Sequence, residues 1–160
     1  MLKVQRKQEA AVPQPKFRPT MDQIHALERE LAAHPGRLME LRTEHHFAPG
    51  MYAREMHIPA GVMLTGRTHR TGHLCSISAG TITVWSEGGE GLQLKAPCTF
   101  ESLPGAKRVG FAHTDVVFTT YHPNPTNERD LAKLEQMMLD DTSDQVIEDL
   151  CVPKIEGGPL

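Results

Sequence analysis

The chain has no run of about 18 apolar residues, which excludes a membrane-spanning helix. Its basic first stretch, MLKVQRKQEAAVPQPKFRPT, lacks the apolar centre of a secretory signal, so synthesis in a cytoplasm is expected. Cysteine is sparse: Cys75, Cys98 and Cys151 form no CxxC pair, which argues against a disulfide framework and fits a reducing compartment. Also missing are a phosphate-binding loop, a dinucleotide-binding glycine fingerprint, a Ser-His-Asp arrangement and an internal repeat. Helical patterns are absent between the apolar runs of the centre, which excludes a parallel α/β sheet.

What remains is one domain with charged ends. The 160 residues, 39% hydrophobic and 23% charged, suffice for a packed core. The formal net charge of −3 is unevenly spread. Residues 1–20 carry Lys3, Arg6, Lys7, Lys16 and Arg18 against Glu9, whereas residues 126–160 carry nine acids against Arg129, Lys133 and Lys154. A basic arm and an acidic tail suit contacts between neighbours in an assembly; the plainer reading is two solvated ends. With a single aromatic, Phe17, the arm is a poor nucleic-acid ligand.

Residues 1–19 read as a proline-containing arm and residues 20–46 as a helical segment. TMDQ has the form of a capping box with Thr20 as N-cap and Gln23 three residues on, and Met21, Ile24, Leu27 and Leu31 recur at helical spacing. HPG ends that helix, and Leu38, Met39 and Leu41 suggest one more turn. Residues 47–124 read as about eight short strands with turn signals every 8–12 residues, a sandwich or small barrel. A helix over 125–140 follows, capped by Thr126 or Asn127 and striped with Leu131, Leu134, Met137 and Met138, then an acidic tail over 141–160 in which TSDQVIEDL suggests another short helix.

The segment GRTHRTGHLCSISAG carries the strongest signal. Gly61 is followed after five residues by Arg67-x-His69, after three more by His73, and after six by Gly80. That spacing resembles the first motif of the cupins, small double-sheet jelly-roll barrels, with Arg67 in place of the first histidine and His73 in place of the glutamate. LPGAKR resembles the second motif: Gly105 keeps its place and Arg108 stands where a metal-binding histidine is expected. A closer likeness, over about residues 20–137, is to small cupin-like proteins encoded by tailed bacteriophages, which share HHFAPGMYAREMHIPAG, APCTFESLPGAKRVG and TTYHP before a DLAKLE helix.

The resemblance implies a jelly-roll fold, edge-to-edge self-association (a dimer or higher) and a phage source. On that basis the first expectation is a non-enzymatic virion or assembly component, made in the host cytoplasm, whose barrel is a scaffold and whose termini contact other phage structural proteins. The second is a small metal-dependent cupin enzyme. Cupin-like geometry implies that His69, His73 and His122 can converge on Zn²⁺, Fe²⁺ or Mn²⁺, with Glu101 as carboxylate ligand or base and His57 as a weaker candidate. The third is an anion- or sugar-binding module in which Arg67, Arg108, His69 and His73 line one pocket.

The arginines oppose a metal. A pair of unit charges 4 Å apart is worth roughly 4 kcal/mol at an effective dielectric of 20, and a dication doubles that. A metal therefore requires Arg67 and Arg108 to turn away or to be neutralised by acids such as Glu55 or Glu101. The bland alternative is that both arginines make internal ion pairs and the histidines are hydrogen-bonded turn residues. His25 and His34 are expected to face solvent, and His45 and His46 to be a surface pair. Trp85 is expected in packing. Cys75 is expected as a buried small hydrophobe sharing a face with His73.

Overall fold

The computed structural model describes residues 17–36 and 40–140 and the backbone of 150–152. The basic arm to residue 16, the turn expected near Leu38 and Met39 and the acidic tail, except Leu150–Val152, lie outside the described residues.

Helix α1 (Met21–Ala33) begins as expected: Thr20 accepts from the Gln23 amide while the Gln23 side chain accepts from the Thr20 amide. Its buried side is Ile24, Glu28 and Leu31, with Leu31 packed against Met63. The strands are β1 (Arg42–Ala48), β2 (Gly50–Ile58), β3 (Met63–Thr65), β4 (His73–Ala79), β5 (Thr81–Ser86), β6 (Leu92–Lys95), β7 (Cys98–Ser102), β8 (Arg108–Ala112), β9 (Val116–Asn124) and β10 (Leu150–Val152); helix α2 (Leu131–Met138) follows β9.

All strand pairs are antiparallel. One sheet has the order β1-β2-β9-β4-β7 and the other β10-β3-β8-β5-β6. From β2 to β9 the chain passes repeatedly between the two sheets, which makes a jelly roll with flanking helices. Period-two alternation turns Met56, Ile58, Ile77, Ile82, Ala112 and Val116 inward, where they join Val62, Leu64, Phe100 and Phe118 in one core. Gly61 and Gly80, the end glycines of the first motif, both have positive φ (81° and 87°), so the spacing that flagged them marks two turns only glycine enters without strain.

Three expectations are corrected. The sheet begins at Arg42, not 47, because β1 pairs with β2 along its whole length, Arg42 opposite His57 through Ala48 opposite Met51. Helix α2 is capped by Asp130, whose Oδ1 accepts from the Ala132 and Lys133 amides. Asn127 instead sits at φ 53° and accepts from the Gly50 amide. Of the expected stripe Leu134 is buried, while Leu131 and Met137 stay exposed. Leu150–Val152, whose first residue ends the stretch expected as a helix, pairs with β3. Trp85 does pack, its indole lying over Gly91.

Helix α1 is fastened by a buried ion pair. Lys107 Nζ lies 2.7 Å from Glu28 Oε1, with side chains 2% and 4% exposed. Lys107→Ala strands the Glu28 carboxylate and is expected to cost about 3–5 kcal/mol, whereas Lys107→Met combined with Glu28→Leu should stay within about 1 kcal/mol of the parent or exceed it. Urea unfolding followed by circular dichroism measures both.

Candidate metal centre

Three imidazoles meet inside the barrel. His73 opens β4 and points inward with Cys75 and Ile77, all buried. His122 points inward from β9 beside Thr120. His69 lies on the connection between β3 and β4, and the chain after α2 holds that connection. His69 forms a bridge with Leu139, the Arg70 amide donates to Met138 O at 2.9 Å, and the Asp140 amide donates to Thr68 O at 3.0 Å. The Arg70 side chain also donates to Leu139 O, and the Gly105 amide donates to His69 O. The second-motif glycine and the C-terminal helix thus both position the first-motif histidine.

Ring centroids are 4.3 Å apart for His69–His73, 4.5 Å for His73–His122 and 5.0 Å for His69–His122. One candidate ligand nitrogen from each lies within 4.8 Å of those of the other two. His73 Nδ1 is 3.3 Å from the Thr71 carbonyl, which can only accept, so Nδ1 carries the proton and Nε2 holds the lone pair. His122 Nε2 is 3.0 Å from Thr120 Oγ1. Burial, aided by the charges of His69, His73 and Arg54, drives the His122 pKa down to about 3. Burial also lowers that of His73, partly offset by the Thr71 carbonyl, with Arg108 lowering it further. At neutral pH these two rings are therefore uncharged, as a metal ligand must be. Three converging imidazoles, two of them uncharged at neutral pH, fit Zn²⁺, Fe²⁺ or Mn²⁺.

The cluster lies in a cavity of about 720 Å³. Its polar side includes Tyr52, His45 and Arg54, and its apolar side Ile58, Leu64, Ile82 and Val84. Tyr52 stacks on His122 and its hydroxyl is 2.7 Å from His45 Nδ1. Burial raises the Tyr52 pKa and lowers that of His45, so the phenol keeps its proton and the imidazole lacks its second. His45, exposed as expected, stands at the rim of the cavity and reaches it through this bond, while His46, also exposed, turns to the outer face beside Glu55. Burial also lifts the Cys75 thiol to about 11, which keeps it protonated and inert, as a small hydrophobe would be.

The remaining candidates are placed as follows. Arg67 borders the cavity with Nη1 3.4 Å from Glu135 Oε2. Arg108 faces inward and donates to Ser102 Oγ, so it neither turns away nor meets an acid; of the two arginines Arg67 alone satisfies the condition set for a metal, and Arg108 leaves a positive charge that an anion beside the centre would have to offset. Glu101 points out of β7 and is exposed, because alternation gives the inward places to Phe100 and Ser102; it cannot serve as the carboxylate of this centre. Glu55 is likewise outward, with Oε1 3.1 Å from His57 Nε2. The acid that meets an arginine is Glu135, in α2, 68 residues from Arg67, a pairing no local pattern signals. His25 and His34 are half-buried rather than fully solvent-facing.

Glu44, His46 and Glu55 form a second His/Glu group on the outer face of β1 and β2. Arg42 already occupies Glu44 with a hydrogen bond that lowers its pKa, so ordinary surface ion pairs account for that group.

No family model matches the sequence, and no curated protein matches it. Among solved structures the chain is similar to KdgF from Halomonas sp., at 18% identity over 62% of this chain and 86% of that one, with a TM-score of 0.45. It is also similar to salicylate 1,2-dioxygenase from Pseudoaminobacter salicylatoxidans, at 14% identity over 73% of this chain and 36% of that one, with a TM-score of 0.49. A third is an uncharacterized conserved protein with a double-stranded beta-helix domain from Klebsiella pneumoniae, at 14% identity over 53% and 78%, with a TM-score of 0.45. The chain spans about a third of the dioxygenase's length. These neighbours are cupin-type, double-stranded β-helix proteins, the class to which the strand order above already points. Nothing in them indicates a phage origin or a virion role.

Proposed function

We propose that the chain is a small metal-dependent protein of the cupin type, with one divalent transition metal held by His69, His73 and His122 and a small polar molecule as its substrate. The observation that carries this reading is the convergence of the three imidazoles from β9, from the start of β4 and from the connection before it. When bound, the metal supplies Lewis acidity toward an oxygen of the substrate. The rest falls to the chain's own residues. Thr71 and Thr120 orient two of the imidazoles. The Tyr52–His45 pair, bonded within the same cavity, is the group that can give and take a proton beside the centre. The apolar walls exclude water from the ligand's body.

The assembly role rests on the oppositely charged termini and the phage likeness. The termini lie almost wholly outside the described residues, and the comparisons lend the phage source no support.

The test is metal analysis by inductively coupled plasma mass spectrometry on the full chain purified without a histidine tag. About one equivalent of zinc, iron or manganese per chain is expected. Less than about a tenth of an equivalent of any transition metal, even after incubation with each ion, contradicts the proposal.

A further inference from the structure

One cation inside the barrel has no carboxylate partner among the described residues. Arg108, the first residue of β8, turns into the cavity, where Nη1 donates to Ser102 Oγ at 2.5 Å and the guanidinium lies 5.8 Å from the centre of the Phe100 ring. Among the described residues those are its side-chain partners, and no carboxylate stands within ion-pair distance. Ser102 is directly opposite His73 in the β4–β7 ladder, which sets this cation beside the histidine cluster. Arg67, the other arginine of the two motifs, is matched by Glu135.

Arg108 is half-buried, and a charge even partly withdrawn from water without a carboxylate partner carries a cost that an anion would offset. Ser102 and Phe100 engage one N–H and one face of a planar group that carries five N–H donors, so much of the guanidinium fork stays free. A dication on three neutral imidazoles adds more positive charge to the same cavity, and Glu101 and Glu55, the acids suggested to offset it, face outward. The component that completes the cavity is an anion. A forked donor selects two coplanar oxygens, and the apolar side chains lining the same cavity (Leu64, Ile82 and Val84 from strands beside β8, and Ile58 from the opposite sheet) select an apolar body.

We propose that the cavity takes a small organic carboxylate, its headgroup held by Arg108 and its body against those apolar walls. Placing the ligand's other end at the metal rests on the function proposed above; the Arg108 contact does not.

The test compares benzoate with benzamide, its uncharged counterpart of the same shape, by calorimetric titration of the full chain, both metal-loaded and chelator-stripped. Benzoate is expected to bind at least about tenfold more tightly than benzamide in both forms. Arg108→Gln should erase that preference and Arg67→Gln should retain it, with circular dichroism checking that each variant folds. If Arg108→Gln does not fold, Arg108→Lys, which keeps the charge and loses the fork, should still weaken benzoate at least about threefold. Equal binding of the two probes, binding of neither, or a preference that survives in Arg108→Gln would overturn the proposal. So would an unweakened Arg108→Lys, or inorganic phosphate outcompeting benzoate. Failure of the metal reading looks different: no metal is retained, yet the Arg108-dependent preference persists.

Discussion

His122→Ala is expected to abolish metal retention, taking the bound ion from about one equivalent to below a tenth, while His57→Ala leaves it unchanged. The two residues differ in what surrounds them. His122 is buried between Tyr52 and the other two rings, with an uncharged imidazole at neutral pH. His57 stands on the outer face of β2 beside Glu55. The readout extends to stability. An ion at a hundred times its dissociation constant stabilises by about 2.7 kcal/mol, or about 5–10 °C in Tm for a chain of this length. That metal-dependent shift should be present in the parent and in His57→Ala and absent in His122→Ala. Differential scanning fluorimetry with and without added metal measures it. A His122→Ala protein that keeps both the ion and the shift would sink the assignment.

Gly80→Ala is expected to be among the most destabilising single changes in the barrel. Gly80 has φ 87°, and a Cβ there would lie 2.0 Å from the Asp115 carbonyl oxygen and 2.9 Å from Thr114 Oγ1. Both contacts belong to the turn before β9, which packs directly on the turn between β4 and β5. Neither can yield without parting two connections between the sheets, because the Thr81 amide donates to Thr114 Oγ1 and the His113 amide to Thr81 O. Left-handed backbone strain and the steric clash together amount to about 3–5 kcal/mol. Gly88 separates the two causes: its φ is 65°, but a Cβ meets nothing within 4 Å, so Gly88→Ala should cost only about 1–2 kcal/mol. Urea midpoints compare the two variants. Equal losses would mean that backbone conformation alone, and not the close approach of the turns, makes glycine necessary at position 80.

These two positions also show what the sequence disclosed. Gly61, His69, His73 and Gly80 stand out by spacing because each does a geometric job within a short stretch: two sharp turns, and a connection that aims two rings into one barrel. The capping box at Thr20 and Gln23 was legible for the same reason. Strand β1 was not. Of its seven residues, RTEHHFA, Phe47 is the lone large apolar side chain, so no alternation announces it; it exists because β2 offers an edge along its full length. With β1 hidden, the inward turn of His45 and its bond to Tyr52 stayed hidden too. The fate of Arg67 depended on a partner distant in sequence. Arg67 meets Glu135 across 68 residues, whereas the acids nearest in the pattern, Glu55 and Glu101, fall on outward positions of their strands. A motif reports spacing, but it does not report which charge another element will bring.

The most direct measurement of the central claim is anomalous diffraction at the metal's absorption edge from crystals of the tag-free, metal-loaded chain. One peak is expected inside the barrel, about 2.0–2.2 Å from one nitrogen each of His69, His73 and His122. The absence of any peak there, or a peak only at Glu44, His46 and Glu55 on the outer face, would contradict the account.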